Sequence, residues 1–594
     1  MRFIATPSKW SLGLMAIIAL TVLVVSLFVS SGSNLPAYGD EWPLVASIDA
    51  GTPSAFRGPT RNFLDVPFHI GYIMSPDSFD GYNLYQAVMI LLRGILVYIL
   101  FRLLRPDSPI LALVIGALAI LYPGDVAAYI LSNVHYMTAI VLYLLALITL
   151  VKYWQHPHIG WLIAMALVQA ICLGMYEGSL PLILITPLVL VYLQQGLTRR
   201  VFRVAALWYL VPVLFIARVI ILSSGGHGLE YQTGMVGTDN SIPALIGGAI
   251  EILAREFGRI WLWAEQTMPQ GFSDYRTWVV LVFTLIFGAV LWLHLRGNQE
   301  KPSLRDDLLL IVAGIVVLLL CYAPFVITIY RYSFFRTILF GITGAAIALA
   351  GAFWLAVRAP LVFRVMLTAI FMFWAVTLLI HTNRLSAILL AVIAIGFLLP
   401  RNKRYMVIGA GVVGYAFAFN MGFRANQPFG DLTARQQQLV TAMIQQAPAV
   451  KSHSLILLTG APDTQEQYAI VRNRYDILQG MLQFIYKQYD IKAQICIPDG
   501  VAWGEYKTSC ELTRDEVVIN FTQDGKTYSV HWPYEQVIAF DYQPTVGPVL
   551  LDQIPSAWMT EAGAEKYNPN ALIDHTATLP YRLHTVWPKA LVRP

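Results

Sequence analysis

Runs of about twenty uncharged apolar residues recur along this chain, and they constrain its fold more than any motif does. The first, residues 11–30, is long enough to cross roughly 30 Å of hydrocarbon at about 1.5 Å per residue. A cleaved signal peptide would have a shorter apolar core and a recognisable small-residue cleavage site, so this run reads as an uncleaved first helix. Hydrophobic residues are 57% of the 594 and charged residues 13%, with a mean hydropathy of +0.60. A water-soluble domain could not cover so much apolar surface.

The net charge of +5 and pI near 8.8 do not point to nucleic acid, because the basic residues sit mainly between apolar runs. Clusters recur at alternate connections: Arg2 and Lys9, Arg102 and Arg105, Lys152, Arg199 with Arg200 and Arg203, Arg296 with Lys301 and Arg305, Arg358 and Arg364, and Arg401 with Lys403 and Arg404. The positive-inside rule puts these in the cytoplasm. Residues 32–83, 122–127, 176–179, 223–276, 328–337 and 381–384 are then the external loops. The expectation is an α-helical polytopic membrane protein of about 13 transmembrane helices, with its N-terminus cytoplasmic. The runs near 109–122 and 385–400 are the shortest.

The membrane region spans residues 1–423. Residues 424–594 are charged, Gln-rich and without a run long enough to span a bilayer, which predicts a separate extracytoplasmic soluble domain of mixed α/β structure. Helices are expected at 433–446 and 472–488, and strands at 454–458, 516–522 and 527–531. Cys172 and Cys321 fall in or near apolar runs and read as buried thiols. Cys496 and Cys510 close a polar loop in the tail, as a disulfide or as two free thiols. No CxxC pair, HExxH helix, Walker loop or Gly-rich dinucleotide turn stands in a fitting context, which argues against the common soluble-enzyme cofactors.

The external loops hold the chemistry. Asp40-Glu41 follows the first span directly, where a carboxylate pair could meet a lipid-linked substrate. Asp125, after Tyr122-Pro123-Gly124, is either a second active-site carboxylate or a helix cap, and His135 follows at the start of the next span. Glu177 sits in a loop too short to hold it far from the membrane face. In loop 223–276, residues 242–265 read as an amphipathic helix on the outer leaflet, with Glu251, Arg255, Glu256 and Arg259 in local ion pairs and Trp261 and Trp263 at the interface. Arg93, mid-span, should have a partner. Arg218, Arg331 and Arg336 lie at outer helix ends, where a guanidinium can hold a phosphate through two parallel hydrogen bonds or reach ordinary lipid phosphate.

The acidic pair after the first span, the long first loop, the acidic second loop, the span count and the external tail together resemble the C-type membrane glycosyltransferases. That superfamily includes protein O-mannosyltransferases, the aminoarabinose transferase acting on lipid A, and oligosaccharyltransferases. The resemblance covers about residues 1–420, and Trp42-Pro43 follows the acidic pair where the mannosyltransferase-like branch has a His-containing motif. It implies a sugar moved from a polyprenyl-phosphate donor to a glycan, lipid or protein acceptor, by displacement that inverts the anomeric centre. Asp40 would be the base and Glu41 would orient the acceptor or a metal, on the view that neighbours in an extended loop point oppositely. Arg331 and Arg336, then Arg218, would hold the phosphate, with His135 and Glu177 on the substrate. A divalent cation, Mg or Mn, bridging Asp40 and Asp125 is compatible with this scheme. The alternatives are a lipid-linked glycan polymerase or ligase built on the outer arginines and loop 223–276, a transporter using Arg93 and Glu177, and a scaffold.

Overall fold

A computed structural model describes residues 9–30, 37, 39–53, 58, 60–224, 241–297, 303–328, 331, 340–426, 428–460, 475–496, 501–503, 506–523, 526–559 and 563–587. Among them, nine helices are long and apolar enough to cross a membrane, from Trp10–Phe28 to Lys403–Ala425. Four shorter apolar helices, Pro109–Leu121, Ile159–Met175, Ile342–Arg358 and Arg384–Leu398, lie where the sequence expects further spans.

Burial explains how a short helix is accommodated. Pro109–Leu121 reaches only about 20 Å, yet every one of its residues is buried, against helices that include Asp80–Leu104, Ile342–Arg358 and Arg401–Ala425. Lipid contact falls on outer helices such as Leu361–Ile380, where Val362, Phe363, Phe373 and Ile380 are exposed. With lipid as apolar as the core, helices in a membrane gain most by close backbone approach. Leu304–Val326 and Ile342–Arg358 meet in this way: a Cβ added at Gly314 would lie 2.5 Å from the Gly344 carbonyl oxygen.

The first loop is not the extended segment the sequence suggested. It contains helices Glu41–Asp49 and Val66–Met74, and Asp80 already begins the next long helix. Asp40 is the N-cap residue, with helical backbone angles (φ −58°, ψ −14°). The alternation that would send the Asp40 and Glu41 side chains apart therefore does not apply.

After the last apolar helix, Pro428–Gln446 leads into two four-stranded sheets. In the first, β1 (Leu455–Thr459) lies between β2 (Lys492–Ile495) and β7 (Val537–Gln543), parallel to both, and β8 (Gly547–Leu550) pairs antiparallel with β7. Full burial of β1 fits a parallel strand covered on both faces. The second sheet, β3 (Val501–Trp503), β4 (Tyr506–Leu512), β5 (Glu516–Gln523) and β6 (Lys526–Pro533), is an antiparallel meander. Cys496, just past β2, and Cys510, in β4, form a disulfide that ties the two sheets together.

The tail is not a detached domain. Helix Tyr475–Tyr486, between β1 and β2, packs along Glu41–Asp49. Trp42, fully buried, meets Phe79 of the first loop edge-on at 5.2 Å and Trp587 of the tail at 5.3 Å.

Candidate active site

Helix Glu41–Asp49 and the start of helix Val134–Gln155 frame a small, partly open cleft. Asp40, Arg61, Ser132, Asn133, His135 and Tyr136 are its polar lining, and Leu44, Leu64 and Phe68 form an apolar wall. The cleft thus brings together a carboxylate, a guanidinium, an imidazole and an apolar flank.

The two members of the acidic pair do different work. Asp40 is partly exposed and faces the cleft. Glu41 is 2% exposed, and its carboxylate accepts backbone N–H bonds from Gly39 and Ser132, both at 2.9 Å. Burial pushes the Glu41 carboxyl above its ordinary value. Its side chain binds one loop to the other, so the expected role in orienting an acceptor falls away.

Arg61 is the cleft residue that sequence reasoning missed. Its Nε donates to Glu177 Oε2 at 2.8 Å and its Nη2 to Oε1, while its guanidinium carbon lies 5.8 Å from the centre of the Tyr176 ring. Among the described residues no hydrogen bond uses Nη1 of Arg61. Glu177 reaches the site through this pair, as the holder of a cation. His135 lines the cleft and is 7% exposed, with Nδ1 lacking a hydrogen-bond partner among the described residues. Nothing in the local sequence marks Arg61, since an arginine in an external loop is ordinary.

Three expected contributors lie elsewhere. Asp125 is buried and ion-paired with Arg93, which supplies the partner required of a mid-span arginine and removes Asp125 from the cleft. Arg331 is 7% exposed, and its Nε donates to the Val326 carbonyl beneath Gly248, so its guanidinium ties local backbone together. Arg218 is on the exposed face of helix Arg199–Ser224 and does not line the cleft. Arg336 lies outside the described residues. Asp125, buried against Arg93, does not line the cleft with Asp40, so the two carboxylates expected to share a divalent cation are not brought together there. Among the described residues no group of three His, Cys, Asp or Glu side chains could hold a metal ion.

Helix Ile242–Ala254 continues through a π-helical turn, Arg255–Arg259, into Ile260–Thr267. Its buried stripe is Gly248, Ile252, Glu256, Ile260 and Ala264, while Ile242, Ile246 and Ile250 are exposed. Glu251 pairs with Arg259 as expected. Glu256 forms the expected local ion pair, with Arg255 Nε 3.7 Å from its Oε1, but it is buried and points inward against Gly124, and neither carboxylate oxygen has a hydrogen-bond partner among the described residues. Burial raises its carboxyl to about 7, with Arg255 opposing and Asp125 adding to the shift.

These features describe a multi-pass membrane protein with a polar cleft beside an apolar wall. The family model described as glucosyl transferase GtrII matches residues 83–349, a little under half the chain. The match takes in Ser132, Asn133, His135 and Tyr136 and begins after Asp40 and Arg61. ArnT from Cupriavidus metallidurans bound to undecaprenyl phosphate is similar in structure at 13% identity, with 80% of this chain and 89% of that one covered and a TM-score of 0.39. The apo state of the same protein gives 13% identity, 82% and 85% coverage and a TM-score of 0.41. The archaeal oligosaccharyltransferase AglB from Archaeoglobus fulgidus, in complex with an inhibitory peptide and a dolichol-phosphate, gives 12% identity, 82% and 64% coverage and 0.35. Likeness at this level carries no residue-by-residue correspondence. Comparison with curated protein sequences found no match.

Proposed function

We propose that this protein transfers a sugar, with glucose the first candidate, from a polyprenyl-phosphate donor to an extracytoplasmic acceptor. The glucosyl transferase match motivates the choice of sugar. The observation that carries the reading is that Asp40 and Arg61 line one cleft beside an apolar wall. Asp40 takes the proton from the acceptor hydroxyl as its oxygen bonds to the anomeric carbon. The bond from that carbon to the phosphate oxygen breaks, and its electron pair leaves with the phosphate. Arg61 stabilises the charge gathering there, through a guanidinium held in place by Glu177. Attack opposite the leaving group inverts the anomeric centre. His135 and Asn133 are placed to contact sugar hydroxyls. A cytoplasmic N-terminus and an extracytoplasmic tail follow from the distribution of basic residues and put the cleft on the outer side.

The test is transfer by the full-length protein in liposomes, using undecaprenyl-phosphate-glucose and a mixed pool of envelope glycans and lipids. Wild type should transfer glucose, and Asp40→Asn, folded, should not. Equal transfer by both would reject Asp40 as the base.

A further inference from the structure

We infer that the C-terminal domain positions the Asp40 carboxylate, and that Arg582 is the residue through which it acts. The inference rests on the reading of Asp40 as base. Asp40 stands at one end of helix Glu41–Asp49, and Asp49 is at the other. A helix of 9 residues is a rod about 13 Å long, and its internal hydrogen bonds oblige the two ends to move together. The end bearing Asp40 is fixed to the membrane region where Glu41 accepts from Ser132.

The tail fixes the far end. Arg582 is 1% exposed, and its Nη1 and Nη2 both reach the Asp49 carboxylate, with Nη2 3.0 Å from Oδ1. Its Nε donates to Asp77 at 2.8 Å, and its terminal nitrogens also reach the carbonyls of Phe484 at 2.8 Å and Pro76 at 3.1 Å. The tail's Tyr489 and the first loop's Tyr72 add hydroxyl donors to Asp49. Between the ends, a Cβ added to Gly480 would sit 2.5 Å from the Pro43 nitrogen, so the tail helix lies directly on the rod. A cation at the C-terminal end of a helix also complements its dipole.

None of the cleft-lining residues belongs to the tail, so Arg582 acts on the chemistry only through the rod. A planar guanidinium donating to two carboxylates and two carbonyls fixes three segments at one point, which a lysine ammonium cannot reproduce. Displacing a base by about 1 Å lowers turnover by roughly 100-fold.

Full-length wild type, Arg582→Lys, Arg582→Met, Tyr489→Phe and Asp40→Asn are compared in liposomes with undecaprenyl-phosphate-glucose and the mixed acceptor pool. Amide hydrogen exchange is followed in parallel. For Arg582→Met we expect kcat to fall roughly 10- to 100-fold with the donor KM nearly unchanged. Exchange should accelerate in residues 41–49 while residues 134–155 and strands β1 and β7 keep their protection. Arg582→Lys should be intermediate. Tyr489→Phe, which removes one donor from Asp49, should shift both readouts the same way by less and serves if Arg582→Met does not fold. Wild-type kcat in a folded Arg582→Met, or lost kcat with unchanged exchange in 41–49, would overturn the inference. Full transfer by Asp40→Asn, whose clamp is intact and whose 41–49 exchange is unchanged, would instead overturn the base assignment and with it the purpose given to the clamp.

Discussion

Arg93 and Asp125 form a buried ion pair between the second long helix and the loop that follows Pro109–Leu121. Removing one partner leaves the other charge buried without compensation. Asp125→Ala should therefore destabilise the membrane region by about 3–5 kcal/mol, whereas replacing both partners with apolar residues should recover most of that loss. Detergent-solubilised unfolding of the single and double variants measures the difference. Equal stability of Asp125→Ala and wild type would show that the pair is not structural.

Asp40 and Glu41 should separate cleanly. Asp40→Asn should reduce kcat by roughly 10²- to 10⁴-fold with its unfolding midpoint unchanged. Glu41→Ala leaves two backbone N–H groups unsatisfied in a buried place and should lose about 1–3 kcal/mol of stability. Turnover and unfolding measured on both variants decide it, and the reverse pattern would exchange their roles.

Arg61→Met should lower kcat/KM roughly 100-fold, as expected when a donor to a developing negative charge is lost. Glu177→Gln should have a smaller effect in the same direction, because the amide still accepts a hydrogen bond while giving up the charge that holds Arg61. Steady-state kinetics with the polyprenyl-phosphate donor measures both, and a larger loss from Glu177→Gln would give Glu177 a direct role instead.

Glu256 gives a pH signature. Its folded carboxyl is raised to about 7 by burial, from an ordinary value of 4.5. The folded state then binds the extra proton, so this group lowers stability progressively as pH rises from about 4.5 through about 7. Glu256→Gln should raise the unfolding temperature at pH 8 and have little charge-related effect at pH 4. An equal gain at both values would point to packing instead.

The tail contact should carry the opposite signature. Burial pushes the Asp49 carboxyl up, but hydrogen bonds from Arg582, Tyr489 and Tyr72 bring it net below its ordinary 3.8, and Arg582 and Lys487 lower Asp77 likewise. Their stabilisation is fully present above the unfolded value and is lost as pH falls through the lower folded ones. Proteolytic susceptibility of the tail should thus rise only below about pH 4. A rise already at pH 6 would implicate other groups.

The membrane spans and three of the eight described tail strands, β1, β5 and β6, were legible because hydropathy and alternation are local signals. That Asp40 and His135 deserved notice was legible for a similar reason, since a titratable residue just outside an apolar run is conspicuous, and both line the cleft. Arg61, Glu256 and Arg582 were not. Each acquires its role from a distant partner: Arg61 from Glu177, Glu256 from Gly124, Arg582 from Asp49. The i, i+4 stripe of helix 242–267 could have marked Glu256, because it stands midway between Ile252 and Ile260. Arg331 was ambiguous in the sequence because a helix-end guanidinium has the same signature whether it awaits a ligand or ties down backbone.

Asp49 and Arg582 are 533 residues apart in the chain. A ribosome delivers them in that order, so every apolar helix long enough to span a membrane among the described residues is synthesised before the second arrives. Until residue 582 is in place, the helix bearing Asp40 lacks its far anchor, and on the inference above turnover would stand roughly 10- to 100-fold below that of the finished chain. On that inference, completion of the chain through residue 582 would itself set how active the protein becomes.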